Sequence, residues 1–220
     1  MKKSVAVIGL SRFGLNLVED FSKLHVDVVG IDINKENVAK AAEYIQNVLV
    51  ADSTNLEALR EAGIGNVDHA IVAIGQNEQA NLAVSIVTII KLKQLGVKEI
   101  TARADDKDSA AALRLVGATN IVLPLNIASE RIAYKIASLN VVDYFNIKGD
   151  FSITEIKVKE DFEETDLIEL NTRNYGLNIL LIERDGKIII PNRETTIKPL
   201  DELFIFGNTN NTHKIISILS

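Results

Sequence analysis

The sequence predicts an α/β chain: a doubly wound parallel sheet followed by a smaller α+β domain. Three observations carry that expectation. Short β-rich apolar runs alternate with amphipathic helical stretches up to about residue 147. The first run leads into a glycine turn, Val5-Ala6-Val7-Ile8-Gly9-Leu10-Ser11-Arg12-Phe13-Gly14. Beyond Lys148-Gly149-Asp150 the alternation gives way to strands in close succession.

In chain order, apolar runs near Val5, Val28, Val48, Ile71, Ile100 and Ile121 read as strands with helical patterns between them. After Pro124 a further helical pattern, Ile127 to Ala137, carries an apolar stripe and runs on to Val141-Val142-Asp143-Tyr144-Phe145 with no seventh strand to cover. Such a face is expected to dock on a second subunit or on its own sheet. Lys148-Gly149-Asp150 reads as a linker, dividing the chain into domains 1–147 and 148–220. In the second domain Ser152 to Val158, Asn178 to Arg184, Lys187 to Ile190 and Leu203 to Gly207 read as strands. Arg184-Asp185-Gly186-Lys187 reads as a hairpin turn, and a terminal helix starts near Thr209.

Composition narrows the function classes. The 220 residues are 47% hydrophobic and 25% charged, an ordinary globular balance. A formal charge of −6 without any Lys/Arg cluster is the wrong footprint for a nucleic-acid backbone. The absence of cysteine excludes disulfides and thiolate metal sites. Met1-Lys2-Lys3 and the apolar run after it superficially resemble a secretion signal, but Arg12 cuts that run short. The longest other apolar run, Leu82 to Ile90, is far below the ~20 residues of a membrane span. A cytoplasmic location is the expectation.

In parallel sheets ligands gather outside the carboxyl ends of the strands, where the distinctive residues of this chain fall. Gly9 permits a tight turn, and Gly14 lets the following helix lie close to the sheet with free N–H groups facing a phosphate. Ser11 stands where the full fingerprint has glycine. Asp32 ends the second strand, near the expected offset of roughly 20 residues, where a carboxylate accepts ribose hydroxyls. This is a Rossmann-like nucleotide site. Arg12 adds a mobile cation that a redox dinucleotide rarely needs, which suggests that phosphates are being counted. Asp52-Ser53-Thr54 reads either as a helix N-cap alone or as a cap that also meets a base. Arg103 reads as a solvated strand end or a site residue, and Gly75 as a turn glycine or part of the pocket.

Gly9 to Gly14, Asp32-Ile33-Asn34, Ala51-Asp52-Ser53-Thr54, Val116-Gly117-Ala118, Ser129-Glu130-Arg131-Ile132-Ala133 and Val142-Asp143-Tyr144 together resemble the RCK (regulator of K⁺ conductance) family. Within it they are most similar to the cytosolic gating subunits of Ktr/Trk-type bacterial potassium uptake systems. The resemblance covers the whole chain and implies an N-terminal nucleotide-binding domain and a C-terminal TrkA-C domain. It implies dimers that assemble into an octameric ring beneath a membrane K⁺ channel. ATP and ADP would compete for the crevice to gate that channel, with no covalent chemistry. Carried over by motif, Gly9, Ser11 and Gly14 would lie against the phosphates, and Arg12 matches the family arginine that senses the γ-phosphate. Asp32 would lie on the ribose and Asp52 and Ser53 near the adenine; Phe13, Ile33 and Asn34 are counted with the nucleotide-binding residues of the same motifs, Ala73, Ile74, Gly75 and Asn77 would line the pocket, and Arg103 would reach the phosphates.

Where the Ktr-type pattern has an acid associated with a divalent cation, this chain has Leu125, so no metal ligand is carried over. Some relatives bind cyclic di-AMP on the C-terminal domain. Asp166, Leu167, Ile168, Arg173, Asn178, Ile179 and Pro191 fall at that pattern, while Arg173 reads equally as a surface ion pair or a helix-end charge. The alternative function is an NAD(H)-dependent oxidoreductase, since Asp32 equally suits the adenosine ribose of NAD. It would need a catalytic acid or base, and His25, His69 and His213 all read as surface residues.

Overall fold

Six apolar runs become six parallel strands in the computed structural model, which describes residues 3–75, 79–137 and 140–219. The chain divides into two compact units, one up to Asn126 and one from Ile127.

In the first unit β1 (Ser4–Ile8), α1 (Arg12–Lys23), β2 (Asp27–Asp32), α2 (Lys35–Ala41), β3 (Asn47–Val50), α3 (Leu56–Glu61), β4 (His69–Val72), α4 (Gln79–Gln94), β5 (Glu99–Arg103), α5 (Lys107–Val116) and β6 (Asn120–Val122) alternate. The strands lie in the order β3-β2-β1-β4-β5-β6, all parallel. The order reverses between β1 and β4, so the crevice for a ligand opens there. Successive side chains of a strand face opposite ways. Accordingly Val5, Val7 and Ile71 pack with Val18 of α1 and Ala41 of α2, while Ala6, Ile8 and Val72 pack with Leu59, Ile89, Leu92 and Leu113 of α3, α4 and α5. Helices on both faces leave the central strands β1 and β4 buried, which explains their lack of polar alternation. Asn34, Asn55 and Asp106 cap α2, α3 and α5 through their side-chain oxygens.

The second unit takes in most of α6 (Pro124–Ala137), then β7 (Val141–Lys148), β8 (Phe151–Lys157), β9 (Thr165–Asp166), β10 (Asn178–Arg184), β11 (Lys187–Ile189), β12 (Thr196–Ile197), β13 (Glu202–Asn208) and α7 (Thr209–Leu219). Five strands form an antiparallel sheet, β11-β10-β13-β8-β7, and β12 pairs β9. Ile156, Ile182, Leu203 and Ile205 form its core with Ile215 and Leu219 of α7. Asp185 (φ 52°) and Gly186 (φ 73°) both adopt the left-handed conformation that a two-residue hairpin turn requires.

Two expectations are corrected. Lys148-Gly149-Asp150 is no linker: it is the turn of the β7–β8 hairpin, with Gly149 at φ 57° and Asn146 opposite Ser152. Val141 to Phe145 is likewise a strand, not the tail of the preceding helix. The bidentate Arg131–Asp143 pair and the Tyr134–Tyr144 stack, 3.9 Å between ring centroids, fasten α6 to it. A Gly-Asp dipeptide between apolar segments serves a turn or a linker equally well, and only the pairing across it decides.

Candidate functional site

The β1–α1 turn is built by close approach. Gly9 has φ +93°, and a Cβ there would lie 2.9 Å from the backbone nitrogen of Ile74. Its N–H donates to the Ile31 carbonyl at 2.8 Å, tying the turn to β2. Ser11 precedes α1 without a side-chain capping bond, and the first turn of α1 holds no acid. The leading N–H groups of the helix therefore keep their positive end for an outside anion.

Beside this turn lies a cavity of about 910 Å³, large enough for a nucleotide. Gly9, Ser11, Arg12, Phe13, Asp32, Ile33, Asp52, Ser53, Ile74, Gly75 and Arg103, all singled out in the sequence, line it. Arg12 is exposed at the start of α1 and has no hydrogen bond or ion pair among the described residues. Arg103 is held: its Nε and Nη2 donate to Asp105 Oδ1 at 3.0 and 2.9 Å, and its guanidinium lies 5.8 Å from the Phe13 ring centroid. At 15% side-chain exposure it lines the cavity and is not a solvated strand end.

Asp32 accepts from the Leu10 N–H at 2.6 Å, the Asn34 N–H at 2.7 Å and the Asn37 side-chain amide at 3.1 Å. Its carboxylate is thus oriented by three donors before any ligand arrives. On the opposite wall Asp52 Oδ1 accepts from both the N–H and the hydroxyl of Thr54, and the Ser53 hydroxyl meets the Thr88 hydroxyl of α4 at 2.8 Å. The N-cap of α3 is Asn55, which accepts from Glu57 and Ala58. The cap reading of Asp52-Ser53-Thr54 is corrected accordingly: the helix starts one position too late for those residues to cap it.

Three expected residues stand behind the wall instead of in it. Gly14 is buried against Gly9, Ala73 is fully buried behind the turn, and Asn34 spends its side chain capping α2. Asn77 lies outside the described residues. Asn16, Thr54, Asn81 and Val84 line the cavity without having been singled out, and so does Leu125, noted until now only for its lack of charge. Asn16 was within reach of sequence reasoning, since it follows Arg12 by one helical turn on the same face. Asn81 and Val84 had no such signal, because only the fold brings α4 to the crevice.

In the second unit Ile168 is 63% exposed and Arg173 and Asn178 are exposed, but Ile179 is 5% exposed and belongs to the core, with Leu167 packed against it. Pro191 is half-buried just beyond β11. Arg173, in a short 3₁₀ turn, makes no ion pair among the described residues. A second cleft of about 380 Å³ lies elsewhere, between Asn140–Val142, Lys157–Glu160 and Leu200. Among the described residues no helix is long and apolar enough to cross a membrane.

Comparison with known proteins matches both units in order. The TrkA-N domain model matches residues 5–124 and the TrkA-C domain model residues 153–220. The chain is 37% identical to the Ktr system potassium uptake protein C of Bacillus subtilis, over 94% of this chain and 93% of that one. It is 28% identical to the Ktr system potassium uptake protein A of Vibrio alginolyticus, over 93% and 92%. Among solved structures, the GsuK RCK domain superposes with a TM-score of 0.67 at 17% identity, covering all of this chain and 48% of that one. The GsuK channel bound to NAD superposes with a TM-score of 0.68 at 17% identity, covering 40% of its chain. The present chain therefore spans less than half of those structures, and the likeness concerns the fold alone. With both domain models matched in order and 37% identity to a Ktr protein over almost the whole of both chains, the chain belongs to the TrkA-N/TrkA-C family of RCK proteins.

Proposed function

We propose that this chain is the cytosolic, nucleotide-sensing regulatory subunit of a potassium uptake system, with ATP and ADP competing for the cavity beside the β1–α1 turn. Arg12 carries the reading: it is a cation in the first turn of α1, on the cavity wall, with no anionic partner of its own among the described residues. A triphosphate offers that guanidinium a contact that a diphosphate lacks, and a ligand shifts a two-state protein only by such a difference. One charge-assisted hydrogen bond, about 1.5–3 kcal/mol, supplies it.

The proposed assembly is a homodimer that closes into a homo-octameric ring against an integral membrane K⁺ channel subunit. The exposed Ile127, Ile132 and Ile136 of α6 support a partner there. Through that channel the chain would sit at the inner face of the membrane. The exposed Arg173 and Ile168 support cyclic di-AMP as a second ligand, on the C-terminal unit.

NAD(H) is the second reading, because Asp32 suits the adenosine ribose of either ligand. Among the described residues the cavity wall holds no His, Lys or Tyr to act as acid or base for hydride transfer, which favours a switch over an oxidoreductase. Titration of the pure protein with ATP, ADP, NADH and cyclic di-AMP, with Arg12→Ala alongside, tests both. The switch requires that Arg12→Ala erase the preference for ATP while leaving ADP affinity nearly intact. Equal losses for the two nucleotides refute it, and hydride transfer from bound NADH would establish the enzyme instead.

A further inference from the structure

The acceptor at the tip of β2 is almost fully engaged without a ligand. Asp32 Oδ2 accepts from the Leu10 N–H and from the Asn37 side-chain amide, and Oδ1 accepts from the Asn34 N–H. An ionised carboxylate offers about four lone-pair sites, so Oδ2 is full and a single site on Oδ1 stays open. Two of the donors are backbone groups that cannot leave without opening a turn. Leu10 follows Gly9, which is tied to Ile31, and Asn34 caps α2. The third is a half-buried side chain in the first turn of α2. Its amide nitrogen must face Asp32, because a carboxylate only accepts.

We propose that Asn37 restricts Asp32 to a single ribose hydroxyl, so that the site distinguishes 2′-deoxy from 3′-deoxy adenine nucleotides. The inference rests on the nucleotide reading above. A carboxylate with both oxygens open chelates the 2′,3′-diol and weighs both hydroxyls alike. With one open site it weighs one hydroxyl, and the other is left to water. Asn37 touches no ligand in this account; it is a positioning residue that acts through Asp32. Asn37→Ala removes the side-chain donor from Oδ2 and leaves both backbone donors in place, which turns a one-hydroxyl reader into a two-hydroxyl reader.

Calorimetric titration with ATP, 2′-deoxy-ATP and 3′-deoxy-ATP tests this on the unchanged chain and on Asn37→Ala. In the unchanged chain one deoxy isomer binds within about twofold of ATP and the other about tenfold more weakly, the loss of one charge-assisted hydrogen bond. In Asn37→Ala both isomers fall about tenfold below ATP. ATP binding in which the two isomers lose equally, or neither loses, in the unchanged chain overturns the inference and leaves the nucleotide reading standing. So does an Asn37→Ala variant that keeps the original asymmetry. Failure of ATP to bind at all overturns the nucleotide reading and this inference with it. The pattern in the unchanged chain does not depend on how the variant folds.

Discussion

A side chain at position 14 would drive its Cβ into the carbonyl oxygen of Gly9. Helix α1 meets the turn at a distance only hydrogen permits, and this contact aims the helix N-terminus at the cavity. Gly14→Ala is expected to cost about 1–3 kcal/mol or more through overpacking against backbone that cannot rotate away. Urea unfolding measures the loss, and a variant as stable as the original would show that the turn relaxes freely.

The buried hydroxyl pair Ser53–Thr88 joins the strand end after β3 to α4, with Thr88 fully buried and Ser53 8% exposed. Thr88→Val keeps the shape and strands the Ser53 hydroxyl, at an expected cost of about 1–3 kcal/mol. Ser53→Ala with Thr88→Val should cost less than the two single changes added together. A double-mutant cycle by denaturant unfolding reads that coupling; strict additivity would show that the two hydroxyls do not depend on each other.

Asp201 is fully buried and receives Arg184 through two bonds of 2.7 Å, while Lys198 donates its N–H at 2.8 Å. The hydrogen bonds that Arg184 donates to Asp201 push its guanidinium above its ordinary range. Arg184→Met leaves the carboxylate buried without its cation, and about 3–5 kcal/mol of stability should be lost. Replacing both, Arg184→Met with Asp201→Leu, should recover part of it, because no charge is then stranded. Thermal and urea unfolding of the three variants would rank them.

Glu155 and Asp143 sit opposite each other on β8 and β7 and titrate in opposite senses. Burial, and then the carboxylates of Glu202, Asp143 and Glu183, raise Glu155 above the ordinary range near 4.5. Hydrogen bonds from Arg131 hold Asp143 below its ordinary 3.8. A raised carboxyl keeps its proton longer folded than unfolded, so its contribution is whole below the unfolded value and is lost as pH climbs through the raised one. A depressed carboxyl does the reverse: its contribution is present above the unfolded value and is lost as pH falls. Glu155→Gln should therefore gain more stability at pH 7 than at pH 4, and Asp143→Asn should lose more at pH 7 than at lower pH. Urea melts across that range test both signs, and a pH-independent effect of Glu155→Gln would contradict the burial argument.

Much of this was legible in the residues. Short continuous apolar runs alternating with helical patterns marked all six strands of the first sheet. Asp185-Gly186 marked its hairpin because two successive left-handed residues favour that dipeptide. Gly9 and Asp32 announced themselves through a spacing close to that of a nucleotide-binding β-α-β turn, and Arg12 through its charge at the start of the helix. The misreadings share a cause. Asp52, Ser53, Thr54 and Asn55 all carry a side-chain oxygen able to cap α3, and only the backbone path shows that Asn55 does so. Val141 to Lys148 has the apolar content of a helix end and of a strand alike until Phe151 to Lys157 pairs with it.

The strands of the first sheet and the glycine turn between β1 and α1 were therefore determined by the sequence alone, because side-chain period and glycine freedom act over a few bonds. Which residues meet across the crevice was decided by the tertiary structure: Ser53 with Thr88, Arg103 beneath Phe13, and three donors on Asp32. Those contacts mostly join residues far apart in the chain, and a sheet order that places β4 beside β1 is set by the packing of two helical layers rather than by any local rule.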